Sequence, residues 1–568
     1  MKKLMQWAIA AALICSSTVF TGCSKSDDNQ EPVVKPEQPD DNGANSSSDD
    51  IGYIECSWNG TEVVKTPKVT TARDMSTLSY SSGSVRNTIK ISGFYFISGS
   101  FTTDNYLYVD GWAAIILCDG ADLKVSGIYV NNGGTLIIYA QEKGTGHLYA
   151  ETKYSDDFCP AIGTYVGDGG KVEIHGGNVD AKGGIRSAGI GGGGSDDEHA
   201  NLSDIIIYGG RVYGHSNGGA GIGAGAYDTS VKTNITIYDG LIEGSGGTDI
   251  YKGKFYGVGI GGGHKASFGS VNIYGGTVTA SASDESAGIG AGEEAPNGEG
   301  VVNIYGGTVT AQGGARGAGI GGGDGRRLNE INIHGGEVYA YAGADGAGIG
   351  GGEDGDSGDI NIYGGIVRAY GDRWADGSSN KGYGAGIGSG QNGNVNTIII
   401  KGGDVQAYGG MDAAGIGTGE EYGSDINSGT IEIHGGKVWA EGKGYGAGIG
   451  CGEDATFGVL GISGGRVDAH AGSDCGPWSG GIGAYHKGHG ADDNCHIGWA
   501  GWQRIYIGKG MRLWTYSPNV GYVENVTNNQ PWWNYVHQRP QVAFGECDHP
   551  GYTEATCPFC YRETLQLQ

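Results

Sequence analysis

The chain has 568 residues, 118 of them glycine and only 12 proline, with a formal net charge of −27. Glycine stands well above its ordinary share of about 7% and recurs with a period, which excludes collagen and a disordered linker and points to a solenoid. The negative charge argues against nucleic acid as a partner, and against a polyanionic substrate unless a locally basic or metal-bearing face overrides it.

The first 22 residues, with Lys2, Lys3 and a following apolar run, read as a secretory signal rather than a structural helix. "FTGC" resembles a bacterial lipobox, which implies that Cys23 is lipidated and begins the mature chain. An ordinary cleaved signal with an incidental cysteine is the plainer alternative. Residues 23–52 are polar and acidic, as in a disordered tether. An acidic stretch close behind the cysteine resembles the export signal of surface lipoproteins of Gram-negative gut bacteria. The implied address is the outer membrane and cell surface, with contact to the membrane through the lipid alone. No later run is long enough to span a bilayer.

Residues 53–485 carry the repeat. A phrase of the A-G-I-G type returns with its isoleucine at 162, 190, 222, 260, 289, 320, 349, 387, 416, 449 and 482. After each phrase come a variable loop, an I-x-I strand such as Ile360–Ile362, a Gly-Gly corner and a V-x-A strand such as Val367–Ala369. Alternation places Ile360, Ile362, Val367 and Ala369 inside and their neighbours outside. Three short strands per coil predict an all-β chain, a right-handed parallel β-helix with coils about 4.8 Å apart. Residues 90–150 read as earlier, less regular coils. The "AGIGGG…INIYGGTVTA" pattern resembles bacterial surface β-helix proteins linked to polysaccharide binding and cleavage.

Equivalent outward positions form columns. After I-x-I stand His175, Tyr208, Tyr238, Tyr274, Tyr305, His334, Tyr363, Lys401, His434 and Ser463, a uniform column read as structural stacking. On the V-x-A strands the middle coils carry Thr279, Ser281, Thr310 and Gln312. From residue 339 the same columns change to Tyr339, Tyr341, Arg368, Tyr370, Tyr408, Trp439 and His470, with Lys437 beside them. We read this stretch as a sugar-binding groove; ordinary cross-strand packing is the plainer alternative. The nearby loop holding Arg373 and Trp374 is placed as a wall of that groove. A further column, Glu293, Asp324, Glu353, Gln391, Glu420 and Glu453, reads as a solvated acidic edge, with calcium shared between coils as the alternative.

Eleven cysteines leave two candidate disulfides, Cys118 with Cys159 and Cys475 with Cys495. Residues 486–540, rich in tryptophan, are expected to cap the last coil. In the tail, residues 541–568, the C-x-H…C-x-x-C spacing of Cys547, His549, Cys557 and Cys560 resembles a small zinc knuckle and implies a structural zinc, with paired or free thiols as alternatives.

Hydrolysis needs two carboxylates flanking the scissile bond, and the columns from 339 to 408 offer no such pair. Elimination from a uronic-acid sugar needs a cation for the sugar carboxylate, a base and an acid. Arg368 suits the first role, and Tyr341 and Tyr370 the others. Lipobox, acidic tether and β-helix together are similar to the endo-acting chondroitin sulfate, dermatan sulfate and hyaluronan lyases of gut Gram-negative bacteria. The resemblance implies an extracellular polysaccharide lyase. A non-catalytic carbohydrate-binding module or adhesin is the competing reading.

Overall fold

A computed structural model describes residues 48–78, 88–152, 158–167, 169–194, 202–227, 229, 232–247, 257–372, 382–421, 426–472, 481–485, 505–507, 512–517, 521–526 and 541–545. Among them are short strands and one 3₁₀ turn, Met75–Thr77, and no α-helix. No helix among them is long and apolar enough to cross a membrane.

Each coil contributes three strands, and each strand pairs in parallel with its equivalents in the coils before and after. In the first stack Ile320 aligns with Ile349 and Ile349 with Ile387. In the second, Ile331 aligns with Ile360 and Ile360 with Ile398. In the third, Val338 aligns with Val367 and Val367 with Val405. The chain is therefore a right-handed parallel β-helix, the hand that parallel crossovers adopt.

The repeat dictates this geometry. Ile360, Ile362, Val367, Ala369 and Ile349 are fully buried, and the same positions are buried in neighbouring coils. The interior is thus a continuous apolar column, each coil covering its neighbours. Gly350, after the isoleucine of the first stack, has φ +138°, and a Cβ there would lie 1.7 Å from the Gly388 carbonyl oxygen of the next coil. No other residue fits that corner.

The N-terminal end departs from the repeat. Strand β1 (Ser48–Trp58) and strand β2 (Val63–Asp74) form an antiparallel hairpin, not a coil. Strand β1 lies over the outer face of the second stack. Tyr53 meets Tyr139 at a ring distance of 4.4 Å, and the Cys56 backbone N–H donates to His175 Nδ1 at 2.9 Å. Farther along, Trp58 stacks on Tyr238 at 4.9 Å. At the other end, strand Ile505–Ile507 continues the second stack in parallel beside Val459–Ile462. Strand Gln541–Gly545 closes the third stack by pairing antiparallel with Arg466–His470. Strands Arg512–Ser517 and Gly521–Val526 extend that antiparallel sheet.

Cys118 and Cys159 do not pair. Both are buried and outside any disulfide, as are Cys56 and Cys451. Cys118 lies in the main core, whereas Cys159 packs with Tyr106 and Tyr129 in a separate small cluster. Cys475 and Cys495 lie outside the described residues, as do Cys23, Arg373, Trp374, Cys547, His549, Cys557 and Cys560.

Candidate functional site

The outward columns of the third stack converge as the alternation requires. Tyr341, Tyr370 and Tyr408 share one register line on consecutive coils. Their rings stack at 5.0 and 5.1 Å with interplanar angles of 5° and 6°. Tyr339, Arg368, Gln406 and Trp439 form the neighbouring line. Beyond Tyr408 that first line continues through Glu441 to His470. Trp439 crosses between the lines to stack on His470 at 4.0 Å, and its Nε1–H donates to Glu441 Oε2 at 3.2 Å. Two ring platforms result, Tyr341–Tyr370–Tyr408 and Trp439–His470, facing outward from five coils.

Burial and charge set the chemistry of these groups. Burial, with Tyr370 as a neighbour, raises the Tyr341 hydroxyl above the ordinary tyrosine range. Tyr408 is raised chiefly by burial, then by Tyr370 and Glu441, and its hydroxyl donates to Gln406 Oε1 at 3.1 Å. Burial pushes His470 down to about 4, so its imidazole is neutral at physiological pH. Arg368 is not a waiting cation. Its Nη1 lies 3.1 Å from Asp404 Oδ1 and donates to the carbonyl oxygens of Asp404 and Val367 at 2.8 and 3.0 Å. Lys437, exposed at the start of its strand, aligns with Asp404 on one side and Arg466 on the other.

The acidic column is not a solvated edge. Glu420 and Glu453 are buried, and Glu293, Asp324 and Glu353 keep only 12%, 19% and 18% of their side chains exposed. The loops carrying them stack coil upon coil, so each carboxylate folds against its neighbours instead of splaying into water. Arg316 gathers three of the acids of this region, with Glu353 at 3.0 Å, Asp324 at 3.2 Å and Glu285 at 3.8 Å. Burial outweighs that cation at Glu353 and lifts its carboxyl to about 7. Gln391 bridges to Glu420 at 2.9 Å. Two carboxylate groups bring their oxygens within 4.8 Å of one another, Glu285–Glu293–Asp324 and Asp412–Glu420–Glu453. Such oxygen sets suit calcium by ligand type.

Sequence reasoning found the rings but missed what lies beside the second-stack column. Asn272, Asn303, Asn332 and Asn361 form a hydrogen-bonded amide ladder with steps of 2.8, 3.0 and 3.1 Å. The signal was present as the middle letter of four successive strands. The second-stack rings do stack as expected, at 4.6 to 5.1 Å from His175 to Tyr363, and Lys401 Nζ lies 4.6 Å over the Tyr363 ring.

Comparison with known proteins agrees with this architecture. A family model described as a beta helix repeat matches residues 172–194, 271–293, 302–324, 331–353, 360–391, 398–420 and 431–453. These segments follow the I-x-I strand, the Gly-Gly corner, the V-x-A strand and the next glycine phrase, so fold and repeat together define a parallel β-helix. No curated protein and no solved structure matches the chain.

Proposed function

We propose that this chain is an exported, lipid-anchored β-helix that binds an extended uronic-acid polysaccharide along the outer face of the third stack, from Tyr339 to His470. The observation that carries the reading is the in-register run of stacked rings on consecutive coils, Tyr341–Tyr370–Tyr408 followed by Trp439–His470. A coil spacing close to the length of one sugar residue lets successive rings meet successive sugars. Lys437, for which no ion pair is found among the described residues, supplies a cation for a sugar carboxylate. Binding without cleavage is the reading the geometry favours, because Arg368 already has a carboxylate partner in Asp404.

Elimination remains as a second reading, favoured by Tyr341 and Tyr370 lying 5.0 Å apart beside Arg368. A hydroxyl held protonated, as at Tyr341, suits the acid that protonates a leaving oxygen. Arg368 would have to exchange Asp404 for the sugar carboxylate.

One experiment separates the two. Purified protein is incubated with chondroitin sulfate, dermatan sulfate, hyaluronan and pectate while ultraviolet absorbance is followed, and binding to the same polymers is measured by affinity electrophoresis. Retardation without new absorbance supports binding alone. Absorbance growth that Tyr370→Phe abolishes establishes elimination. Neither retardation nor absorbance with any polymer removes the uronic-acid assignment.

A further inference from the structure

The outer face of the second stack is covered along one half and open along the other. Strand β1 runs along the helix axis over the ring ladder, touching Tyr139, His175, Tyr238 and Tyr274 in turn through Tyr53, Cys56 and Trp58. Beyond Trp58 no strand among the described residues lies over the ladder. His175 is buried, Tyr238 and Tyr274 are half-buried, and Tyr305 and Tyr363 reach 40% and 38% exposure.

The column beside the rings changes one coil before the ladder opens. Under or beside the hairpin it reads Ile137, Glu173, Ile206 and Thr236. From the coil whose Tyr274 still touches Trp58 it becomes Asn272, Asn303, Asn332 and Asn361, and Ile399 follows. Ile137 packs against the core, as suits a surface covered by protein. Amides suit a polar occupant. An asparagine amide has two donor hydrogens and an oxygen with two lone pairs. Each ladder step consumes one donor and one lone pair, so half-buried Asn303 keeps one of each for a ligand, whereas Asn361 donates to both Asn332 and Glu330 and offers its oxygen. The charges along this strip are acidic, Glu330 and Asp359, with Lys401 only at its far end. They oppose an anionic polymer.

We infer that the open stretch, Tyr305, His334 and Tyr363 with Asn303 and Asn361, is a second binding strip, for a neutral linear polysaccharide lying along the helix axis as β1 does upstream. Its chemistry is ring edges and hydroxyls with neighbouring amides, repeated at ring spacings of 4.7 and 4.6 Å. The occupant continues an interface that the chain itself already makes. It uses different residues from the Tyr339–His470 face and does not depend on that reading.

The test is affinity electrophoresis of the full mature chain in gels containing mixed-linkage β-glucan, glucomannan or xylan. At least one should retard the wild type. Tyr305→Ala combined with Tyr363→Ala should weaken that retardation about tenfold, the loss expected for one or two ring contacts, while Trp439→Ala leaves it unchanged. Hydroxyl-radical footprinting of the wild type gives a readout independent of variant folding: Tyr305 and Tyr363 should be protected by the retarding polymer. The inference is overturned if none of the three polymers retards the protein, if the double variant binds as the wild type does, or if the footprint at both tyrosines is unchanged. Loss of neutral-polymer binding in Trp439→Ala alone would assign it to the third-stack face and overturn the second strip. A synthetic peptide of residues 48–74 protecting Tyr305 and Tyr363 where the polymers do not would make the strip a track for protein strands, and also overturns it.

Discussion

Two parts of the third stack have the same interior and different exteriors. At Val278–Ala280 and Val309–Ala311 the buried residues are those of Val338–Ala340 and Val367–Ala369, and all are fully buried. Outward, the first pair of coils shows Thr279, Ser281, Thr310 and Gln312, whereas the second shows Tyr339, Tyr341, Arg368 and Tyr370. The backbone register runs through both without a shift. Coil geometry is therefore fixed by inward letters and glycine corners. The outward letters are free to vary, so a local concentration of rings there calls for a reason other than folding.

The largest effect should be the same in both regions. A Cβ at Gly290 would lie 2.0 Å from the Gly321 carbonyl oxygen, and one at Gly350 1.7 Å from that of Gly388, both at strongly positive φ. Gly290→Ala and Gly350→Ala should each cost more than about 4 kcal/mol, read as loss of the cooperative urea transition or of soluble protein. If one is tolerated and the other is not, the two regions are not equivalent inside. Binding should then divide them. Against any polysaccharide retained through the third-stack face, Trp439→Ala should weaken affinity about tenfold or more and Thr310→Ala not measurably. Equal effects would dissolve the contrast.

A third comparison concerns pH. Glu353 in the folded chain has its carboxyl raised to about 7 from 4.5. The folded state thus holds a proton that the unfolded state has released, and stability falls as pH rises from about 4.5 to about 7. Glu353→Gln should remove that slope, and at pH 8 the variant should gain on the order of 1 kcal/mol relative to its difference at pH 4, after discounting for the solvent at its rim. Urea midpoints at the two pH values measure it; a parallel slope in the variant would locate the titration elsewhere. The smallest effect is a graft. Ser281→Tyr with Gln312→Tyr extends the Tyr341 line upstream and should add about 0.5–1 kcal/mol by ring stacking, seen as a modest rise in Tm.

Much of this was legible from residue order. The period gave the coils, and strict alternation gave Ile360, Ile362, Val367 and Ala369 as interior, because a two-residue periodicity leaves no other choice. The column of rings from Tyr339 to His470 was legible for the same reason. The state of Arg368 was not, since its partner Asp404 comes from the following coil and from the neighbouring register line. Nor was the burial of the acidic column, which depends on loops stacking on loops rather than on strand alternation. Cys118 and Cys159 are both buried, but in different clusters, a separation that no spacing encodes. The docking of Trp58 leaves no local trace.

That docking changes how the molecule must come apart and assemble. In a solenoid each coil depends on its neighbours alone, so unfolding can begin at an end and travel. The hydrogen bond from Cys56 to His175 spans 119 residues of sequence, and Trp58 reaches farther still, to Tyr238 and Tyr274. Strand β1 therefore ties the first several coils into one cooperative block that frays together or not at all, with slow amide exchange from its first coil to Tyr274. Strand β1 finds part of its surface at Tyr139 and His175 but lacks the rest until the coil holding Tyr274 exists, so its docking is completed only when that whole block is in place.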